Sequence, residues 1–126
     1  MKSKKPLIIG IDFDDTIVHC RYPYIGPFKF MAKASLKWLQ KRHILILWTC
    51  REGALLNKAK TILLKEGIRF DFYNKNDARR ILKYGGDCRK LSCDLLIDDK
   101  AGFVWWPWIV LKVLWMELRR GLSDGL

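Results

Sequence analysis

Five aspartates stand where short apolar runs end: residues 7–11 lead into Asp12-Phe13-Asp14-Asp15-Thr16, and residues 95–97 lead into Asp98-Asp99. A carboxylate at the end of a buried strand is costly unless a cation or hydrogen-bond donors stand beside it. Asp12, Asp14, Asp98 and Asp99 together offer hard oxygen ligands for a divalent ion, and that donor set suits magnesium better than zinc. A third run, residues 44–48, ends in Thr49-Cys50-Arg51, which places a hydroxyl and a guanidinium where an anion could be met. Taken singly, Asp14 and Asp15 could simply turn the chain, and Asp98 and Asp99 could cap the next segment. Separate structural roles leave unexplained why both acidic groups follow buried runs.

The elements that must position these residues are legible as alternation. Apolar runs of strand length cover residues 7–11, 44–48, 68–73 and 95–97. Between them Phe28, Ala32, Leu36 and Leu39 recur at helical spacing, as do Leu55, Ala59, Ile62 and Leu63. Continuous apolar strands joined by helices predict an α/β fold, a doubly wound parallel sheet with helices on both faces and right-handed crossovers. Ligands of such sheets bind outside the carboxyl ends of the strands. Asp12, Thr49 and Asp98 would therefore meet at one sheet edge.

Asp12-x-Asp14-x-Thr16 after an apolar strand resembles the first motif of the haloacid dehalogenase (HAD)-like hydrolases. Trp48-Thr49 resembles the second, and Asp98-Asp99 the acidic fourth; the likeness spans residues 7–100. It implies a Rossmann-like core and a magnesium-dependent phosphomonoester hydrolase. Asp12 would attack phosphorus to form an aspartyl-phosphate, and Asp14 would serve as general acid and then base. A neighbouring like charge and partial burial suit Asp14 to holding a proton. Magnesium would lie among the Asp12 carboxylate, the Asp14 carbonyl and Asp98, with Asp99 orienting a metal-bound water or a basic side chain. Thr49 would give its hydroxyl and backbone N–H to the phosphate, Arg51 would add a second contact, and Thr16 would bind substrate or brace the loop. For the lysine of the third motif, Lys75 follows the third strand and is favoured by the carboxyl-edge rule over Lys90, which precedes the fourth. The intervals after the first and third motifs hold little more than a loop and a helix, so no cap domain is expected. The segment from His19 to Tyr24 would overhang the nucleophile.

The bulk properties set bounds. At 126 residues with half of them apolar, the chain fits one domain, residues 1–126. A formal net charge of +11 favours anionic partners: phosphorylated metabolites, nucleic acid or an acidic membrane surface. Lys33, Lys37, Lys58 and Lys65 fit solvated helix faces. Cys20, Cys50, Cys88 and Cys93 have neither zinc-site nor disulfide-framework spacing, which points to free thiols. Acids end the first apolar run too early for a signal peptide, and residues 103–118, with four of the six tryptophans, are too short and too interrupted to span a membrane. A cytoplasmic location follows as the expectation. The Trp-rich segment could bury against the sheet, form a homo-oligomer or touch a membrane surface. Three functions stay open: hydrolysis of a small phosphorylated substrate, end-processing of nucleotides or nucleic acid on the basic surface, and non-catalytic anion binding on the same fold.

Overall fold

The computed structural model describes residues 5–83, 91–102 and 104–125. Strand β1 (Ile8–Ile11) is wholly buried at the centre of a four-stranded parallel sheet. It pairs with β4 (Ile44–Leu47) on one side and β6 (Leu95–Ile97) on the other, and β5 (Phe72–Tyr73) lies beyond β4. The order β5-β4-β1-β6 makes β1 and β6 immediate neighbours although the paired residues Ile9 and Leu95 lie 86 positions apart. Helices α1 (Ala32–Arg42), α2 (Gly53–Lys65), α3 (Ala78–Lys83) and α4 (Trp106–Gly125) flank the sheet. The chain is an α/β protein of Rossmann-like type.

Because successive strand side chains point to opposite faces, the sheet feeds two cores. Ile9, Ile11, Leu45, Leu47 and Ile97 pack with Leu36 and Leu39 of α1, Leu63 of α2, and Trp106, Ile109 and Val113 of α4. Ile8, Ile44 and Ile46 form a smaller cluster with Trp48, Phe72, Leu91 and Cys93 on the other face. Gly10 belongs to this second face. A Cβ there would lie 2.5 Å from Leu91 Cδ2, so any larger residue would make the Leu91 side chain shift from its seat against the central strand.

Three expectations need correction. The interval after β1 contains an antiparallel hairpin, β2 (Val18–Arg21) and β3 (Tyr24–Phe28), rather than a loop alone. Phe28 accordingly ends a strand instead of opening a helix; Val18, Cys20, Tyr24 and Ile25 are strand-favouring types flanking the Tyr22-Pro23 turn. The strand anticipated over residues 68–73 shortens to Phe72–Tyr73, with Ile68 and Phe70 buried in the larger core outside the ladder. Burial, not strand pairing, accounts for their apolar character.

Helix α4 buries only one side. Trp106, Ile109 and Val113 face the core, while Trp108, Leu111, Leu114, Trp115 and Leu118 are exposed. Among the described residues, no helix is long and apolar enough to cross a membrane.

Candidate active site

The first motif is a single tight turn. Asp12 extends the ladder by donating its N–H to Ile97 O at 2.9 Å, after which the Phe13 carbonyl accepts from the N–H groups of Thr16, Ile17 and Val18. Phe13 is fully buried, which anchors the turn. Asp15 takes a left-handed φ of 59°, a conformation aspartate tolerates better than most residues. Since β6 runs beside β1, Asp98 and Asp99 emerge next to Asp12. Carboxylate oxygens of Asp12, Asp98 and Asp99 all lie within 4.8 Å of one another.

Such crowding has an electrostatic consequence. Burial first, and then repulsion from Asp98, push the Asp12 carboxyl up to about 7. A divalent cation among the three would relieve the repulsion and replace the proton, and three hard oxygen donors at this separation suit a hard ion. Asp98 also accepts from Lys100 N at 2.9 Å, so it caps the short 3-10 turn Asp99–Ala101 while facing Asp12.

Thr16 is a brace. It is fully buried, and its hydroxyl accepts from Asp99 N at 2.9 Å and lies 3.1 Å from Asp12 Oδ2 and 3.3 Å from Asp99 Oδ1, donating its one proton to either. Its carbonyl accepts from Trp106 Nε1 at 3.0 Å. Direct substrate contact by Thr16 is excluded by this burial.

Asp14 stands apart from the three-carboxylate group. Arg51, fully buried, grips it with Nε 2.9 Å from Oδ2 and Nη2 2.7 Å from Oδ1. The Cys20 thiol donates to Asp14 Oδ1 at 2.8 Å; burial and then that carboxylate raise the thiol to about 11, so it keeps its proton at neutral pH. Arg51 Nη2 also reaches Pro23 O at 3.1 Å, and the guanidinium lies 5.4 Å and 5.2 Å from the ring centroids of Phe13 and Tyr22. Arg51 is thus no solvated loop residue, and its buried Nη1 has no hydrogen-bond partner among the described residues. It fastens the β2–β3 hairpin to Asp14, which is how His19 to Tyr24 come to overhang the motif.

Thr49 differs in part from expectation. Its backbone N–H is donated to Asn74 Oδ1 at 2.7 Å, and its hydroxyl accepts from Arg51 N at 3.2 Å, leaving the hydroxyl proton for a ligand. Asn74, in a left-handed conformation after β5, also donates to Arg51 O at 3.2 Å and so ties two loops of the site together. Lys75 is exposed, with Nζ 5.7 Å from the Phe72 ring centroid, and makes no ion pair with Asp12, Asp98 or Asp99 among the described residues. Its strand is the outer one, and β4 intervenes between it and β1. Lys90 lies outside the described residues.

Cys20, Asn74 and Trp106 went unassigned by sequence reasoning. Asn74 had a local signal, an asparagine directly after a strand; the others act through contacts between distant segments. Beside the hairpin opens a cavity of about 570 Å³ lined by Pro23, Tyr24, Ile25, Asn57, Lys58 and Ile62, among others.

No family model and no curated protein matches the chain. A solved structure does: that of a conserved protein from Bacteroides thetaiotaomicron, 40% identical, with a TM-score of 0.76 over 86% of this chain and 90% of that one. With that identity over nearly the whole of both chains, the protein belongs to the same family as this conserved Bacteroides thetaiotaomicron protein.

Proposed function

We propose that the protein is a magnesium-dependent phosphomonoester hydrolase on a capless, doubly wound HAD-like core. The observation that carries this reading is the group formed by Asp12, Asp98 and Asp99, three carboxylates within 4.8 Å at the ends of the two central strands. Like charges so placed destabilise one another unless a cation joins them. Asp12 and Asp98 would hold magnesium, with Asp99 behind them bonded to Thr16. When bound, the ion supplies charge that offsets repulsion between an anionic nucleophile and an anionic phosphate.

Asp12 is the nucleophile: it forms the bond to phosphorus as the ester oxygen leaves, and water then cleaves the aspartyl-phosphate. For Asp14, two residues on, to give a proton to the leaving oxygen and take one back from the water, its carboxyl must first leave the Arg51 ion pair and gain a proton from solvent. Arg51 and the Cys20 thiol fix the direction of that carboxyl, and Thr49 offers its hydroxyl to a phosphate oxygen. Lys75 is left out of this assignment because of its place over Phe72.

The open cavity beside the hairpin, the exposed Tyr22 and Tyr24 at 59% and 77%, and the net charge of +11 favour a nucleotide or nucleic-acid end as a second substrate class. The deciding experiment is magnesium-dependent phosphate release from sugar phosphates, nucleotides and 3′-phosphorylated oligonucleotides, by wild type and Asp12→Asn. Release that requires the metal and disappears in the variant supports the hydrolase. Release unaffected by Asp12→Asn excludes the mechanism, and silence across the panel transfers the case to non-catalytic anion binding.

A further inference from the structure

Helix α4 carries a second apolar face that nothing in the chain covers among the described residues. Trp105, Trp108 and Trp115 are 47%, 57% and 55% exposed, and Leu111, Leu114 and Leu118 are 57%, 42% and 62% exposed. Together they leave on the order of 600 Å² of contiguous apolar surface, at the upper end of what a monomer shows. The side opposite, through Trp106, Ile109 and Val113, already meets the core. A helix apolar on both sides is expected to be covered on both.

From this face we infer that the protein forms a twofold homodimer through antiparallel packing of α4 on α4. The spacing favours another helix as the occupant. Trp108, Leu111, Trp115 and Leu118 follow one another at intervals of three, four and three, the seam spacing of paired helices. The same four positions are symmetric about residue 113, so an antiparallel partner brings Trp108 opposite Leu118 and Leu111 opposite Trp115 of the second copy. Each large ring then meets a smaller side chain, and a twofold interface is complementary to itself by this arrangement. The available area matches the roughly 600 Å² per copy at the lower end of stable interfaces.

Charge separates this occupant from an anionic lipid surface. The ionic side chains bordering the seam are Lys112 and Arg119, the latter lying over the Trp115 ring, whereas Glu117 faces away to bond Arg42 and His43. In the antiparallel register Lys112 falls opposite Leu114 and Arg119 opposite Pro107, so the bases avoid each other and repel only across the rim. Rim charges of one sign weaken a dimer modestly, and salt screens them. The dimer should therefore tighten as salt rises, while binding to anionic lipid should loosen. Trp108 and Lys112 also line a groove with Asp98.

Size-exclusion chromatography with light scattering on the full chain, over a range of concentration and salt, tests this directly. The wild type should be a dimer that strengthens with salt. Leu111→Glu and Trp115→Glu, at exposed positions that leave circular dichroism unchanged, should each raise the dissociation constant at least about tenfold by placing a charge in the seam. A monomeric wild type overturns the inference, as does a dimer indifferent to both substitutions. A monomer that co-sediments with phosphatidylglycerol vesicles, and releases them in high salt, also overturns it and assigns the face to lipid.

Discussion

The two ends of the parallel sheet use the same side chain in opposite ways. At the amino end, Asp94 accepts from Ile8 N at 2.8 Å and from Arg80 Nη2 at 3.1 Å, and Asp71 accepts from Leu45 N at 2.8 Å. His43 joins them: its Nδ1 accepts from Leu7 N at 3.0 Å, so Nε2 carries the proton that meets Glu117 at 2.8 Å. These groups satisfy strand N–H groups that would otherwise be orphaned. At the carboxyl end, Asp12, Asp98 and Asp99 face one another, and Asp12 holds a proton up to about pH 7. An aspartate matched to donors stabilises a fold, and an aspartate matched to other aspartates stores repulsion that a cation can release. Asp94 is half-buried like Asp12, Asp98 and Asp99, so partners rather than burial decide the role.

That contrast can be broken most severely at Asp12. Asp12→Asn should lower magnesium-dependent phosphate release by at least about 10³-fold while leaving the metal-free protein no less stable, because a repelling charge is removed. Turnover by the variant within tenfold of wild type would end the distinction between the two edges. The reciprocal substitution is Asp94→Ala, which leaves Ile8 N and Arg80 Nη2 without their acceptor. Urea unfolding should show a loss of about 1–3 kcal/mol, with metal dependence of activity unchanged.

Titration sharpens the comparison further. An acid whose pKa is raised on folding, from 3.8 to about 7 for Asp12, contributes stability that is fully present below pH 3.8 and is lost as pH climbs to about 7. Asp12 is half-buried, so solvent screening reduces the effect to on the order of 1–2 kcal/mol. Thermal melts of the metal-free protein against Asp12→Asn should differ across that window, and saturating magnesium should flatten the wild-type curve. Should both proteins melt in parallel from pH 4 to 8, the carboxylates are not in conflict. The smallest effect belongs to Lys75→Met. Its Nζ lies over Phe72 away from the acids, so kcat should change by less than about threefold. A hundredfold drop would mean that this lysine reaches the substrate after all.

Several features were readable without coordinates because they depend on local chemistry. Strands that are apolar throughout, such as Ile8–Ile11 and Ile44–Leu47, announce a sheet covered on both faces, and the acids that end them stand out because burial makes them expensive. Less legible was the hairpin, whose strands are short, half exposed and closed by Tyr22-Pro23, so that periodicity hardly separates them from a loop. His43, just before β4, carries no local signal of its place as a buried link between Leu7 and α4, through an atom pair 74 residues apart. Arg51 looked like a phosphate ligand because it follows Thr49. Its ion-pair partner within the fold, Asp14, lies 37 positions earlier and is brought within reach by the pairing of β1 with β4.

From the sequence alone came the α/β class, the apolar strands and the identity of the acids at their ends, since period, burial cost and ligand hardness are properties of residues and their near neighbours. Strand order came only with the tertiary structure. Setting β6 beside β1 brings Asp98 and Asp99 against Asp12, and setting β4 on the other side delivers Arg51 to Asp14, so one aspartate of the motif faces like charge and the other a guanidinium. Coulomb energy depends on separation in space, and the positions of these residues along the chain do not contain that distance.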